Sequence, residues 1–304
     1  MSKVHYHDEE DQISSDNISC KGSNQDMPSA QKGIRWYRLA TIGFVIVTLI
    51  ALVIGLSMSF LGTPNPFRWF QHGVAPSVND TARWETYGFS GLELTVENAL
   101  EDRWTPYFQE YIAQWDQGTP DSLKLSTTRV STDSSCQPSL GVVKVCNGDY
   151  GDTDWLGVTF NLIQDGVIVL STIKLNDHHL DGMNDDDRKY TMCHELGHSF
   201  GLPHTDENYH NANLRNCLDY TMKVDGNLSP GIFNYNLLAE VYGTIPPVRR
   251  RLLNVPTQIL QKYQLISDQM SEKYKMRCSG IKCIEGLDET YRLVVHKLLV
   301  RNLQ

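Results

Sequence analysis

Three histidines in the run HELGHSFGLPH are spaced to bind one metal ion. His194 and His198 are four residues apart, and His204 follows six residues later. A spacing of four places side chains on one face of an α-helix, one turn apart, so both imidazoles can reach the same ion. Zinc binds imidazole nitrogen at about 2.0–2.1 Å, and a catalytic zinc site combines three protein ligands with one open position. We therefore expect His194, His198 and His204 to form a Zn2+ site.

Two other residues of the run suit a hydrolytic site. Glu195 follows the first histidine and is the predicted general base, which would take a proton from a water molecule acidified by zinc and pass it to the leaving amine of a peptide bond. Gly201 separates the second and third histidines. Because glycine readily adopts the left-handed conformation that ends a helix, it can turn the chain back towards the metal.

The extended pattern HExxHxxGxxH resembles the signature of metzincin zinc peptidases. The resemblance covers residues 94–243 and implies a mixed sheet, an active-site helix and a tight Met-turn beneath the metal. The candidate turn is NCLDYTM, residues 216–222. In metzincins whose turn reads Met-x-Tyr, Leu218 would replace the methionine and Tyr220 would match the tyrosine, whereas Met222 would mark a shifted register. The resemblance also implies that Tyr220 approaches the zinc or the reacting oxyanion, with a buried structural tyrosine as the alternative.

The first functional expectation is a zinc metalloendopeptidase that acts on protein or peptide substrates. Glu195 favours this activity because a module that only binds a partner has no need of a general base. The alternative is an inactive zinc-containing domain used for binding or adhesion, with Leu218 as an early sign of lost activity. A zinc hydrolase with a non-peptide substrate ranks last. The formal net charge of −9 and the absence of a long basic run argue against nucleic acid as a partner.

The expected fold class is α+β, with a metzincin-like catalytic domain behind a single transmembrane helix. Apolar residues at mainly helical spacing predict a first helix over residues 94–115. Four segments rich in β-branched residues then predict the strands of one mixed, twisted sheet: LKLSTTRVS, VVKVCN, WLGVTFNLI and VIVLSTIKL. Aspartates 185–187 offer the N-cap of the active-site helix, and Met192, Leu196 and Phe200 are expected to pack in the core.

A long apolar segment sets the predicted domain organisation. Residues 39–61 contain no charged side chain, and as a helix they would span roughly 35 Å, enough to cross a bilayer. The predicted parts are a disordered cytoplasmic tail (1–38), a transmembrane helix (39–61), a stem (62–93), the peptidase domain (94–245) and a C-terminal helical appendage (246–304). Basic residues just before the apolar segment predict a type II protein in the lipid bilayer, with its catalytic domain lumenal or extracellular.

The cysteines and two sequons agree with an oxidising compartment. Six of the seven cysteines follow the apolar segment, and six cysteines allow fifteen connectivities. Spacing favours three local pairs: Cys136 with Cys146, Cys193 with Cys217, and Cys278 with Cys283. Asn79 and Asn227 begin possible N-glycosylation sequons. In the C-terminal segment, His296 is expected to be a surface histidine.

Overall fold

A mixed nine-stranded sheet organises the part of the chain that the computed structural model describes, which is residues 82–86, 91–243, 254–270, 276–279 and 281–301. All of these residues belong to the unit Phe70–Gln304. The strands are β1 (Arg83–Trp84), β2 (Leu92–Asn98), β3 (Leu123–Arg129), β4 (Val143–Gly148), β5 (Trp155–Gln164), β6 (Val167–Asn176), β7 (Arg277–Ser279), β8 (Lys282–Gly286) and β9 (Tyr291–Leu299). Their order is β3-β2-β4-β6-β5-β9-β8-β7, and β1 pairs with β6.

The described sheet is parallel on one side and antiparallel on the other, and strand direction first reverses at β5. Strands β2, β3, β4 and β6 are parallel to one another. Strand β5 is antiparallel to β6 on one side and antiparallel to β9 on the other. All but the last residue of β5 are buried, as expected for an interior strand with both faces covered. The four strands predicted from β-branched segments correspond to β3, β4, β5 and β6 and are confirmed.

Helices cover both faces of this sheet and create two apolar cores. The helices are α1 (Thr105–Asp116), α2 (Asp177–Leu180), α3 (Asp185–Ser199), α4 (Ile232–Gly243) and α5 (Thr257–Gln269). The first core contains the buried side chains of α1, α3 and α4, and the second contains those of α5. Successive residues of a strand point to opposite faces. Val294 and Leu298 of β9 accordingly enter the first core, and Leu293 and Val295 enter the second.

The helix predicted over residues 94–115 begins later than the sequence suggested. Residues 92–98 form β2, whose alternate residues are buried, and α1 begins only at Thr105 with Pro106 in its first turn. The alternation of apolar and polar residues in LELTVEN is a strand pattern that the helical spacing of the longer window concealed. The helical part of this prediction is confirmed for residues 105–116.

The predicted fold class needs correction in its membrane component. No helix among the described residues is long and apolar enough to cross a bilayer. The fold class of a catalytic domain behind a single transmembrane helix is therefore wrong for the described chain, which is a mixed sheet with several helices. Residues 39–61, on which the transmembrane, bilayer and type II predictions rested, lie outside the described residues, as do the tail and most of the stem.

The C-terminal segment is not the helical appendage that its spacing suggested. Helix α5 is present, but YRLVVHKLL forms β9, a strand of the same sheet that carries the histidine motif. Because β9 is buried on both faces over most of its length, it lacks the polar and apolar alternation that identifies a half-buried strand. The segment therefore belongs to the same folded body as the predicted peptidase domain.

The three predicted local disulfide pairings are confirmed. One of the two predicted N-glycosylation sequons is buried. Cys136 pairs with Cys146, Cys193 with Cys217, and Cys278 with Cys283. Asn227 is completely buried, and its side-chain amide donates to Asp219 while its carbonyl oxygen accepts from the Asn216 backbone. Glycosylation at Asn227 is incompatible with this packing. Asn79 lies outside the described residues.

Candidate metal centre

Helix α3 carries the first two histidines, and its N-cap lies one residue before the predicted cap residues. The Asn184 side chain accepts a hydrogen bond from the Asp187 backbone N–H at 3.0 Å, so Asn184 is the N-cap. Aspartates 185–187 occupy the first turn instead, where their negative charge complements the helix dipole. Met192, Leu196 and Phe200 are buried in the first core, as expected from the sequence.

Gly201 ends the helix and directs the chain towards His204. Its φ of +90° lies in the region that favours glycine, which confirms the predicted left-handed position. A Cβ atom built at Gly201 would lie 2.1 Å from the carbonyl oxygen of Ala82, so the close approach of the β1 region also requires glycine. The Leu202 N–H then bonds to the Gly197 carbonyl at 3.2 Å and closes the turn.

The three histidines bring their Nε2 atoms to one point. The Nε2 atoms of His194, His198 and His204 are 3.0–3.1 Å from one another. Nitrogen ligands at about 2.0–2.1 Å from a tetrahedral zinc ion would be about 3.3 Å apart, close to this arrangement. The structure thus assembles all three predicted ligands.

The hydrogen bonds of the opposite ring nitrogens fix the orientation of two imidazoles. Nδ1 of His194 donates to the Cys217 carbonyl at 2.7 Å, and Nδ1 of His198 donates to the Leu202 carbonyl at 2.8 Å. Nδ1 of His204 lies 3.6 Å from Oε1 of Glu207, whose side chain is otherwise exposed. Such partners are typical of metal-binding histidines, because they fix the tautomer that turns the Nε2 lone pair towards the ion.

The electrostatics of the cluster fit a cation. Burial lowers the pKa of His194 to about 4 and lowers the pKa values of His198 and His204 well below the usual range, so all three rings are neutral at pH 7. Neutral rings that donate through Nδ1 present only acceptor lone pairs at Nε2. Converging acceptors repel one another unless a positive ion lies between them. The donor set is therefore suited to zinc, which favours neutral imidazole ligands.

No protein-family model and no curated protein matches this chain. The proposed chemistry of the site is therefore argued from its own residues.

A second group of possible ligands, Asp152, His178 and His179, also has its ligand atoms within 4.8 Å of one another. Two of those three residues are exposed and the third is partly exposed, which is common at surfaces that hold no ion.

Glu195 lies beside the histidines with its two carboxylate oxygens in different environments. Oε2 accepts a hydrogen bond from the Thr159 hydroxyl at 2.5 Å, whereas the buried Oε1 has no hydrogen-bond partner among the described residues. Burial raises the pKa of Glu195 to about 8, and the Thr159 hydrogen bond acts in the opposite direction. Gly157 leaves space for this carboxylate, because a Cβ atom there would lie 2.8 Å from both Cγ and Oε1.

The turn after the motif places Leu218, not Met222, beneath the histidine helix. Leu218 is fully buried, and a Cβ atom built at Gly197 would lie 2.9 Å from its Cδ2. Met222 is 42% exposed. Of the two registers that the sequence left open, the structure therefore selects the one with Leu218 in the apolar position next to the motif.

Tyr220 lies near His204 but directs its hydroxyl to the C-terminal strand. Its ring centroid is 5.1 Å from that of His204, and the side chain is buried. The Tyr220 hydroxyl accepts a hydrogen bond from the Leu299 backbone N–H at 3.0 Å. This geometry places Tyr220 within the site and gives its oxygen a structural contact with β9.

His296 is a site residue that the sequence did not reveal. It is 6% exposed, so the expectation of a surface histidine is wrong. Its ring stacks on that of His198, with centroids 4.2 Å apart and planes inclined by 18°. A histidine far from the motif, in a strand buried on both faces, carries no local signal. Its pairing with β5 becomes evident only in the assembled sheet.

Proposed function

We propose that this chain is a zinc-dependent metallopeptidase, and that it is a distant relative of the metzincins. The proposal rests on two observations: the Nε2 atoms of three neutral histidines converge, and Glu195 of the same helix has a buried carboxylate oxygen with no partner among the described residues. The pattern HExxHxxGxxH and the buried Leu218 below the motif support the relationship.

The proposed chemistry divides between the metal and Glu195. His194, His198 and His204 would hold zinc, which when bound supplies a Lewis acid for the carbonyl oxygen and acidifies water to a pKa near 7. Glu195 takes the proton from the attacking water at Oε1 and passes it to the leaving amine. Thr159 holds Oε2, which leaves Oε1 as the oxygen without a protein partner among the described residues. A neighbouring cation favours the charged carboxylate and counteracts the effect of burial.

The substrate reaches this site without adding a strand to β5. The outer edge of β5 pairs with β9 from Trp155 opposite Leu299 to Gln164 opposite Tyr291, so its backbone groups are already used. An extended peptide cannot form a sheet with this edge. Recognition through side chains or through the ends of a peptide is therefore the proposed mode.

A specific observation favours a second candidate function, an inactive zinc-containing domain that binds a partner. His194, Glu195 and His198 have no exposed surface, and His204 is also buried. A closed metal site stabilises a fold without turnover. The two candidates differ in whether the purified protein cleaves anything.

The test is proteolysis by the full-length chain. Zinc content is measured first, and the protein is then incubated with an unstructured substrate protein with and without a chelator. Glu195→Gln should retain stoichiometric zinc and lose activity, about 1000-fold or more, because the general base is removed. Glu289→Gln, an exposed matched control, should cleave normally. Cleavage by Glu195→Gln would contradict the assignment, and zinc without cleavage in the native chain would favour the second candidate.

A further inference from the structure

The position of His296 relative to the proposed metal site comes from its strand register. In the pairing of β5 with β9, His296 lies opposite Thr159, the residue that holds the Glu195 carboxylate. Directly opposed residues of neighbouring strands project from the same face with Cβ atoms about 4.5–5.5 Å apart. His296 therefore lies next to the residue that orients Glu195 and, through its ring stack, against the metal-binding His198.

One ring nitrogen of His296 lacks an internal partner. Its Nδ1 atom is buried and has no hydrogen-bond partner among the described residues. A buried polar atom without a hydrogen bond is costly, so a ligand group that bonds to this atom would be stabilised. Oε1 of Glu195 is in the same situation on the neighbouring element.

The geometry excludes His296 from the set of direct metal ligands. A fourth tetrahedral ligand atom would lie about 3.3 Å from each of the other three. Within the described chain, the group of nitrogen atoms that lie within 4.8 Å of one another contains His194, His198 and His204 but not His296. Imidazole lone pairs lie in the ring plane, and two nearly parallel stacked rings cannot direct theirs at one ion from 4.2 Å apart.

Strand β9 is an integral strand of the sheet, not a segment that could move away from the proposed metal site. It pairs with β5 on one side and with β8 on the other. Its side chains contribute to both apolar cores, and beyond its end Val300 donates to the Asp154 carbonyl while Arg301 forms an ion pair with Asp187 of α3. Displacing β9 would expose apolar side chains on both faces and break two ladders. His296 is consequently a permanent neighbour of the metal site.

We propose that His296 is a further catalytic residue, which donates a hydrogen bond from Nδ1 to the carbonyl oxygen of the scissile bond while that oxygen gains negative charge. This role rests on the proposed peptidase function. Donors aimed at a developing oxyanion are among the largest contributions to hydrolytic catalysis. Strand β9 pairs with the edge of β5, where a substrate strand would otherwise add, and the same strand carries His296.

Two substitutions separate the hydrogen bond from the packing. His296→Phe keeps an aromatic ring against His198 and removes the nitrogen atoms, whereas His296→Asn keeps a donor near the Nδ1 position. His210→Phe is the matched control, because His210 is exposed. Each full-length variant is loaded with zinc or cobalt. The measurements are metal affinity by chelator competition, the visible spectrum of the cobalt form, its titration with acetohydroxamate, and kcat and KM for peptide cleavage.

The proposal expects a selective loss in His296→Phe. Metal affinity and the cobalt spectrum stay unchanged, acetohydroxamate binds about 10-fold more weakly, and kcat falls about 100-fold with little change in KM. His296→Asn recovers part of both losses, and His210→Phe behaves like the native chain.

Other results would overturn the proposal. A loss of metal affinity with a changed cobalt spectrum would make His296 a ligand. Unchanged hydroxamate binding and kcat would make it a packing residue, and a higher kcat would make β9 an inhibitory cover. If the native chain binds cobalt and shows the His296-dependent hydroxamate affinity but cleaves no peptide, the peptidase function fails while the oxygen-binding role of His296 survives. A native chain that takes up no metal overturns both.

Discussion

At the scale of single residues, Thr159 decides which oxygen of Glu195 is available. Its hydroxyl, which has one proton to donate, lies 2.5 Å from Oε2 of Glu195 and 3.0 Å from the Glu195 carbonyl oxygen. These contacts attach helix α3 to β5 at the proposed general base. They also stabilise the charged carboxylate and hold its pKa below the value that burial alone would give.

Thr159→Val should therefore move the acidic limb of the activity profile to higher pH. Glu195 acts as a base only when deprotonated, and loss of a hydrogen bond to its charged form raises its pKa. Because a bond to a charged group contributes roughly 1.5–3 kcal/mol, kcat/KM well below the limb should fall about tenfold or more. Thr191→Val is the control, since the Thr191 hydroxyl bonds to the Asp187 carbonyl instead. A limb that stays in place would show that Thr159 does not set this pKa.

The sequence predicts site residues only where spacing along one element determines their position. His194, Glu195 and His198 follow from one helical turn, and His204 follows because Gly201 returns the chain. Thr159 and His296 are brought to the site by sheet pairing. No spacing rule connects strands so distant in sequence, so these two residues could not be predicted.

At the scale of elements, the disulfide Cys193–Cys217 connects helix α3 to the turn beneath it. Cys193 precedes His194, a proposed zinc ligand, and the carbonyl of Cys217 accepts the hydrogen bond from Nδ1 of that histidine at 2.7 Å. The covalent link therefore holds both partners of this hydrogen bond in place. We expect the orientation of this proposed metal ligand to depend on the disulfide.

Replacing both cysteines by serine, Cys193→Ser with Cys217→Ser, should weaken metal binding and stability together. Loss of an orienting partner lowers metal affinity about 10-fold or more, and opening this loop lowers the free energy of unfolding by about 3 kcal/mol. Chelator competition and denaturant unfolding measure the two effects. The pair Cys278–Cys283 provides the control, because its removal should cost about 2 kcal/mol without changing metal affinity. Equal metal affinities in both variants would contradict the orienting role.

Elements were predictable where one face is exposed and harder to predict where both are buried. Strand β2 does alternate, so its pattern was present in the sequence and was hidden by the helix that follows. Strand β9 has Leu293, Val294, Val295 and His296 buried in succession. A continuous apolar run does not distinguish a strand from a helix, and only the partners β5 and β8 resolve the ambiguity.

At the scale of the whole molecule, four buried neutral histidines make stability depend on pH. Burial lowers the pKa values of His194, His198, His204 and His296, the first of them to about 4. Below pH 6.5 the unfolded chain binds protons at these positions that the folded chain excludes, so acid favours unfolding. Glu195 opposes this trend. Its pKa of about 8 means that the folded chain holds one proton which the unfolded chain releases above pH 4.5.

The metal-free protein should consequently lose stability as the pH falls from 6.5 towards 4.5. The four histidines outnumber the three carboxyl groups whose pKa values burial raises, those of Glu195, Asp177 and Asp219, and each group contributes about 1.4 kcal/mol per pH unit between its folded and unfolded pKa values. Thermal unfolding at pH 7 and pH 5 tests this, with a lower Tm expected at pH 5. His210→Gln, at an exposed position, should keep the same difference. A higher Tm at pH 5 would mean that these carboxyl groups dominate.

The pairing of β5 with β9 also determines which strands form the two edges of the described sheet, where backbone groups have no neighbouring strand. One outer strand, β7, has only three residues and is tied to β8 by Cys278–Cys283. The other, β3, carries Lys124 and Arg129 on an exposed surface. Short or charged outer strands discourage pairing between molecules. Strand β5, which is buried over all but its last residue, has neighbours on both sides, and this arrangement protects the protein against aggregation through that strand.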